Sequence, residues 1–167
     1  FLNQGQICLC GSRIFVAESI REEFTKRLVR HVENMTIGDP TQENTEFGSL
    51  VSIEHLNKVE EYIELAQKEG GTILTGGQRP NLQEPFANGA FLQPTIVEGL
   101  TPDSRCATEE IFGPVVTLHG FNSDEEVISH ANATEYGLAG SVWTSDLERG
   151  KYIAESIETG MVWVNCW

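Results

Sequence analysis

Short β-branched and aromatic runs alternate with longer segments of helical periodicity along most of the chain, and this alternation constrains the fold more than any other feature. Arg13-Ile14-Phe15-Val16 reads as a strand. Behind it, Ser19 and Glu22 have the spacing of a capping box, and Ile20, Phe24, Leu28, Val32 and Met35 recur at helical intervals. Gly38-Asp39-Pro40 breaks that helix and Thr41 to Ser49 is polar and loop-like. Ser52 opens a second helix, whose Ile53, Leu56, Val59, Ile63 and Ala66 form one stripe ending at Gly70-Gly71. Thr72-Ile73-Leu74 is a short strand, and the aperiodic segment Gln78 to Ala90 is a surface loop. Phe91 to Val97 is extended, but Pro94 cannot donate to a ladder, which predicts an edge or bulged strand. Val115-Val116-Thr117-Leu118 reads as a buried strand, and Ser123 with Glu126 caps a helix carrying Val127, Ile128 and Ala131. Ala139 to Trp143 is extended, Asp146 caps a helix through Leu147, Ala154 and Ile157, Gly160 ends it, and Met161-Val162-Trp163-Val164 is extended again. Trp143 and Trp163 are expected in the core.

Apolar strands separated by helices need crossover connections, which cover both faces of a sheet. The expected class is α/β, a largely parallel sheet with helices on both faces. At 167 residues the chain suffices for a single domain, 1–167, with a real core, but not for two ordinary ones. It starts at Phe1 and stops at Trp167 directly after an apolar run, so a piece truncated at both ends is expected. No strand-turn-helix carries Gly-x-Gly-x-x-Gly, so the chain holds no dinucleotide fingerprint of its own.

The formal charge of -14, from 11 Lys plus Arg against 25 Asp plus Glu, repels phosphate backbones and anionic lipid. Nucleic acid and membrane partners are set aside, and no apolar run is long enough to span a bilayer. Cys8, Cys10, Cys106 and Cys166 are too sparse for a secreted disulfide scaffold, so reduced thiols in a cytoplasm or organelle matrix are expected. Cys8-Leu9-Cys10 is spaced too closely for the usual zinc knuckle, and no metal site is expected.

Chemistry concentrates in two stretches. Gly5 and Gly11 bracket Cys8, and glycines serve where backbone turns sharply or approaches another group closely. A cysteine on such a bend can present its sulfur and its own backbone N–H to one cleft, the geometry that an attacked carbonyl needs. The bland alternative is a small buried hydrophobe. The second stretch is Thr108-Glu109-Glu110-Ile111-Phe112-Gly113-Pro114-Val115. Adjacent carboxylates diverge on either a strand or a helix, so at most one of them enters a given site. Gly113-Pro114 makes a turn just before a strand, from which a preceding side chain can reach a cleft.

Asn3-Gln4-Gly5-Gln6-Ile7-Cys8 with Gly11-Ser12-Arg13 resembles the active-site cysteine segment of the NAD(P)-dependent aldehyde dehydrogenase family, and Glu109 to Pro114 resembles a second signature of that family. Asn132, Tyr136-Gly137-Leu138-Ala139 and Val162-Trp163-Val164-Asn165 extend the resemblance along the whole chain. The resemblance implies that Cys8 is the catalytic nucleophile, that Glu110 hydrogen-bonds the ribose beside the nicotinamide, and that Phe112 lies against the same part of the cofactor. It implies that Lys58 reaches the adenosine ribose, unless it is simply a solvated helix lysine. Asn165-Cys166-Trp167 is similar to the substrate-tunnel wall, most like members acting on muconic semialdehydes. The implied cofactor is NAD or NADP, with NAD favoured. The implied partner is a small-molecule aldehyde, and the parent would be a homodimer or homotetramer. The family's general-base glutamate, its oxyanion amide donor and its Rossmann-like cofactor domain correspond to segments before Phe1, and segments completing the tunnel and the oligomerisation strand to those after Trp167. The isolated chain is therefore expected to be inactive.

Three rivals stay open at this stage. A CoA-acylating relative would resolve the thioester with a thiol. A cysteine hydrolase would pair Cys8 with His31, His55, His119 or His130. A structural or oligomerisation module of the same fold would merely pack Cys8.

Overall fold

The computed structural model describes residues 1–167. β1 (Arg13–Ala17) runs without a loop into α1 (Glu18–Glu33). The helix therefore starts ahead of the expected cap: Ala17 holds the N-cap position, no side chain caps it, and Ser19 lies within the first turn. Glu18 instead pairs with Arg21 at 2.8 Å, and Arg21 reaches on to Glu98 at 3.4 Å. Along the predicted stripe Val32 is buried, with Leu28 and Met35 against the same core. Ile20 and Phe24, expected in that stripe, are exposed. Periodicity marks a face able to be buried; whether a surface lies opposite it is decided elsewhere in the fold.

α2 (Ile53–Lys68) starts as its sequence predicts, with Ser52 Oγ accepting from the His55 N–H at 3.1 Å. Leu56, Val59, Ile63 and Ala66 are buried, whereas Ile53 is exposed. Gly70, at φ +91°, turns the chain out of the helix into β2 (Thr72–Thr75). β3 (Thr95–Glu98), a short α3 (Arg105–Thr108), β4 (Val115–Phe121) and α4 (Asp124–Asn132) follow. α4 has its expected cap, Ser123 Oγ accepting from the Glu126 N–H, while the Glu126 carboxylate reaches back to the Asn122 N–H. β5 (Ala139–Val142), α5 (Leu147–Ser156), capped by Asp146, and β6 (Met161–Val164) complete the chain.

The strands form a four-stranded sheet in the order β1-β4-β3-β2 and a separate pair, β5-β6. All pairings are parallel except β2 with β3. β3 is therefore an interior strand, which corrects the edge expected from Pro94, although its ladder to β2 does carry a register shift, between Ile73 and Thr75 of β2. The ladder to β4 begins at Thr95, one residue later, so proline's missing donor costs no bond. Successive strand residues face opposite ways. Val97 and Val115 meet Leu56, Val59 and Ile63 of α2, while Ile96, Val116 and Leu118 meet Val32 of α1 on the other face. In the smaller sheet Val142 is buried and Trp143 is 65 % exposed, its indole N–H donating to Ser141 Oγ, so Trp143 is not a core residue. Trp163 is half-buried. In α5 the buried side chain is Ile153, and Leu147 is exposed. No helix is long and apolar enough to cross a membrane.

His119 lies buried on β4, stacked on Phe15 at 5.3 Å with Nε2 against Thr117 Oγ1. Burial first, then the charges of Arg13 and His130, lower its pKa from 6.5 to about 4. The unfolded chain thus binds a proton that the folded chain refuses between those values. Its contribution is intact above pH 6.5 and is lost as pH falls toward about 4. The loss is about 3 kcal/mol by the linkage relation. Urea midpoints measured across this range should fall less steeply for His119→Gln than for the native chain.

Candidate active site

The thiol bend is seated on the backbone of the second motif. Asn3, Gln4 and Gly5 are all left-handed, at φ 50°, 57° and 70°, which rolls the chain into a tight turn over Leu2–Gly5. A Cβ on Gly5 would stand 2.0 Å from the Gly113 carbonyl oxygen, so only glycine allows this approach. Gly113 is held from below, since a Cβ there would meet Val59 Cγ2 at 2.7 Å. Pro114 then gives its carbonyl to the Thr95 N–H at 2.7 Å. Beyond Gly5, the Gln6 side-chain oxygen accepts from the Val51 N–H at 3.1 Å, and Cys10 N–H donates to Ile7 O at 2.9 Å. Cys8 is the second residue of that four-residue turn. It is exposed, and its N–H is left free by the backbone hydrogen bonds of the bend.

The two glutamates separate as their adjacency requires. Glu109 takes bonds from Arg105 Nε at 2.7 Å, Arg105 Nη2 at 3.0 Å and the Tyr62 hydroxyl at 2.8 Å. The guanidinium and then the phenol hold its carboxyl below the usual range, and the same bond pushes the Tyr62 hydroxyl up. Glu110, exposed and free of salt bridges, turns the other way. Phe112 sits at φ 58°, with its carbonyl accepting from His55 Nε2 at 2.6 Å and the His55 ring edge-on at 6.3 Å.

Cys8, Glu110 and Phe112 line one cleft of about 420 Å³ between the two sheets, shared with Arg13 and Phe15 of β1 and with Ala139 to Ser141 around β5. Glu110 is the single acid and Arg13 the single cation on its wall. Arg13 is already committed, donating to the His130 and Ala131 carbonyls at 3.0 and 2.9 Å at the end of α4. No histidine lines the cleft. The Cys106 thiol lies buried behind it, 3.3 Å from the Tyr62 carbonyl, and burial followed by Glu69 pushes its pKa up to about 12. The cleft thus offers an accessible thiol, a free amide N–H on the same bend, one uncommitted carboxylate and an exposed ring.

A profile of the aldehyde dehydrogenase family matches residues 1–167. The chain belongs to the aldehyde dehydrogenase family. It is 46 % identical to a Mus musculus 2-aminomuconic semialdehyde dehydrogenase over 169 aligned positions, covering all of this chain and 35 % of that protein. It is 43 % identical to a Bacillus subtilis betaine aldehyde dehydrogenase, with 99 % of this chain and 34 % of that one covered. The structure of a Staphylococcus aureus betaine aldehyde dehydrogenase in complex with NAD+ superposes with a TM-score of 0.96 at 38 % identity, over all of this chain and 33 % of that chain. The chain spans about a third of the length of these family members.

Tyr136 to Ala139, which carry part of the family resemblance, also line the cleft, whereas Lys58, Asn165, Cys166 and Trp167 do not. Lys58 stands over the Tyr62 ring, with Nζ 5.8 Å from its centroid. Asn165, at φ 57°, exchanges bonds with the Thr144 backbone, accepting from its N–H and donating to its carbonyl, both at 2.8 Å. Cys166 is exposed. Trp167 reaches the thiol bend, its indole N–H donating to Leu9 O at 3.2 Å. Sequence reasoning did not find the groups that set the site's shape: Arg105 and Tyr62 on Glu109, His55 on Phe112, and Arg13 on α4. Of these only the Arg105–Glu109 spacing, four residues apart on a helical segment, is a local signal.

Proposed function

We propose that residues 1–167 form the thiol-bearing catalytic unit of an NAD(P)-dependent aldehyde dehydrogenase, with Cys8 as nucleophile. The observation that carries this is the shared cleft: Gly5 on Gly113 fixes Cys8 and the Glu110–Phe112 pair as one body. As thiolate, Cys8 attacks the aldehyde carbonyl, and the Cys8 N–H donates to the developing oxyanion. The resulting thiohemiacetal carries the hydride to be removed. NAD(P)+, when bound, supplies the hydride acceptor. The thioester then left on Cys8 is hydrolysed by water, and the activating base comes from outside residues 1–167 because Glu110 serves the cofactor.

The cleft suits that cofactor. A carboxylate accepts from both hydroxyls of a ribose, and Glu110 is free to do so. The exposed Phe112 ring, held by His55, offers a plane for the nicotinamide. NAD is favoured over NADP, and a relative's complex with NAD+ supports this. Muconic-type semialdehydes are the first substrates to try, with betaine aldehyde second, following the relatives' names. The test is NADH formation by the full-length protein with these aldehydes and NAD+; no turnover with any of them overturns the reading. Glu110→Gln in that protein should raise KM for NAD+ about tenfold, the worth of a charge-assisted hydrogen bond, while leaving the urea midpoint unchanged.

A further inference from the structure

We propose that Cys8 and Cys10 form a reversible disulfide that takes the cleft thiol out of service under oxidising conditions. The pairing rests on the bend alone; its effect on turnover rests on the reading of Cys8 as nucleophile. Both thiols line the same cleft, Cys8 exposed and Cys10 half-buried. Their Cα atoms are two residue steps apart, which spans at most about 7 Å when fully extended. The hydrogen bond from Cys10 N–H to Ile7 O folds this stretch into a turn and shortens that span. A disulfide needs Cα atoms about 4.4–6.8 Å apart, so the turn brings the pair within range.

The Cys10 thiol gives up one weak contact, its 3.5 Å hydrogen bond to the Leu2 carbonyl, and rotates toward Cys8. Gly11 follows in open space, where a Cβ would meet nothing within 4 Å, so the backbone beyond Cys10 can adjust. The other thiols compete poorly. Cys106 is buried at the Tyr62 carbonyl, and Cys166 does not line the cleft. The small ring strains the link, and strained, accessible disulfides are the readily reduced ones.

With hydrogen peroxide as oxidant the chemistry balances. The Cys8 thiolate attacks one peroxide oxygen, an S–O bond forms as the O–O bond breaks, and the departing hydroxide takes a proton to become water. Cys10 as thiolate then attacks the sulfenic sulfur. The S–S bond forms, the S–O bond breaks, and hydroxide again leaves as water. A dithiol reductant returns both thiols by exchange.

The experiment exposes the full-length protein to hydrogen peroxide, blocks free thiols by alkylation, and maps peptides by mass spectrometry with and without dithiothreitol. The peptide holding both cysteines should lose two hydrogens and resist alkylation, activity should fall about tenfold or more, and dithiothreitol should restore both. In Cys10→Ser, peroxide should drive Cys8 to sulfinic acid, with a loss that dithiothreitol does not reverse. Equal over-oxidation of Cys8 in the native protein, or a link to Cys166 instead, overturns the pairing and leaves the nucleophile assignment standing. A Cys8–Cys10 disulfide that forms without loss of turnover overturns the switch together with that assignment.

Discussion

Cys8→Ser in the full-length protein is expected to lower aldehyde oxidation by about a thousandfold or more, the scale on which removing a covalent nucleophile acts. Serine keeps the size and the turn, so the bend from Ile7 to Cys10 and its free amide survive. What is lost is the thiolate: a serine hydroxyl ionises far less readily than a thiol and is the weaker nucleophile, and Glu110, the one carboxylate that residues 1–167 put on the cleft wall, serves the cofactor in this reading. NAD+ binding should be retained, since Glu110 and Phe112 are held by α2 and β4 rather than by the thiol. Steady-state turnover and NAD+ titration measured on one preparation separate the two effects, and turnover near the native rate would falsify the assignment. Cys106→Ala makes the useful contrast. That thiol is buried, with its pKa pushed up to about 12, so its removal should show in stability rather than in chemistry.

Gly5→Ala is expected to destabilise the chain by about 3 kcal/mol. Of this, about 1–2 kcal/mol is the cost of a left-handed residue with a Cβ, and the rest is overpacking. The added carbon would stand 2.0 Å from Gly113 O and 2.5 Å from Gly113 C, both backbone atoms that cannot swing aside. Relief requires moving the thiol bend off the Gly113-Pro114 turn, so Cys8 and Glu110 separate and turnover of the full-length protein should fall in step. Gly11→Ala is the matched control, because a Cβ there meets nothing within 4 Å and should change stability by no more than about 0.5 kcal/mol. Urea midpoints for the two variants decide the matter; equal midpoints would mean that the Gly5 seat does not hold the site together.

Features carried by short-range interactions were legible in the sequence. The Ser52, Ser123 and Asp146 caps are settled within three residues of chain, as is the end of α2 at Gly70. The division of labour between Glu109 and Glu110 follows from the geometry of neighbouring side chains, although which of them faces the cleft is set by Arg105 and Tyr62. The parallel α/β character follows from apolar strands that must be crossed by helices.

Only the tertiary structure decided which equally apolar groups are covered. Ile20, Phe24 and Trp143 satisfy the local pattern as well as Val32 or Val142, yet lie exposed, because burial is a property of the surface opposite and not of the residue. Pro94 could be read as an edge signal because sequence does not show where a ladder begins; Thr95 paired with Val115 places it just outside. The site itself is of this kind. Cys8 and Glu110 each stand in a motif visible from the sequence, but their common cleft depends on Gly5 meeting the Gly113 carbonyl across more than half of the chain. Such contacts arise from the packing of elements distant in sequence. Local propensity determined the elements and marked the reactive side chains, and long-range packing brought them to one place.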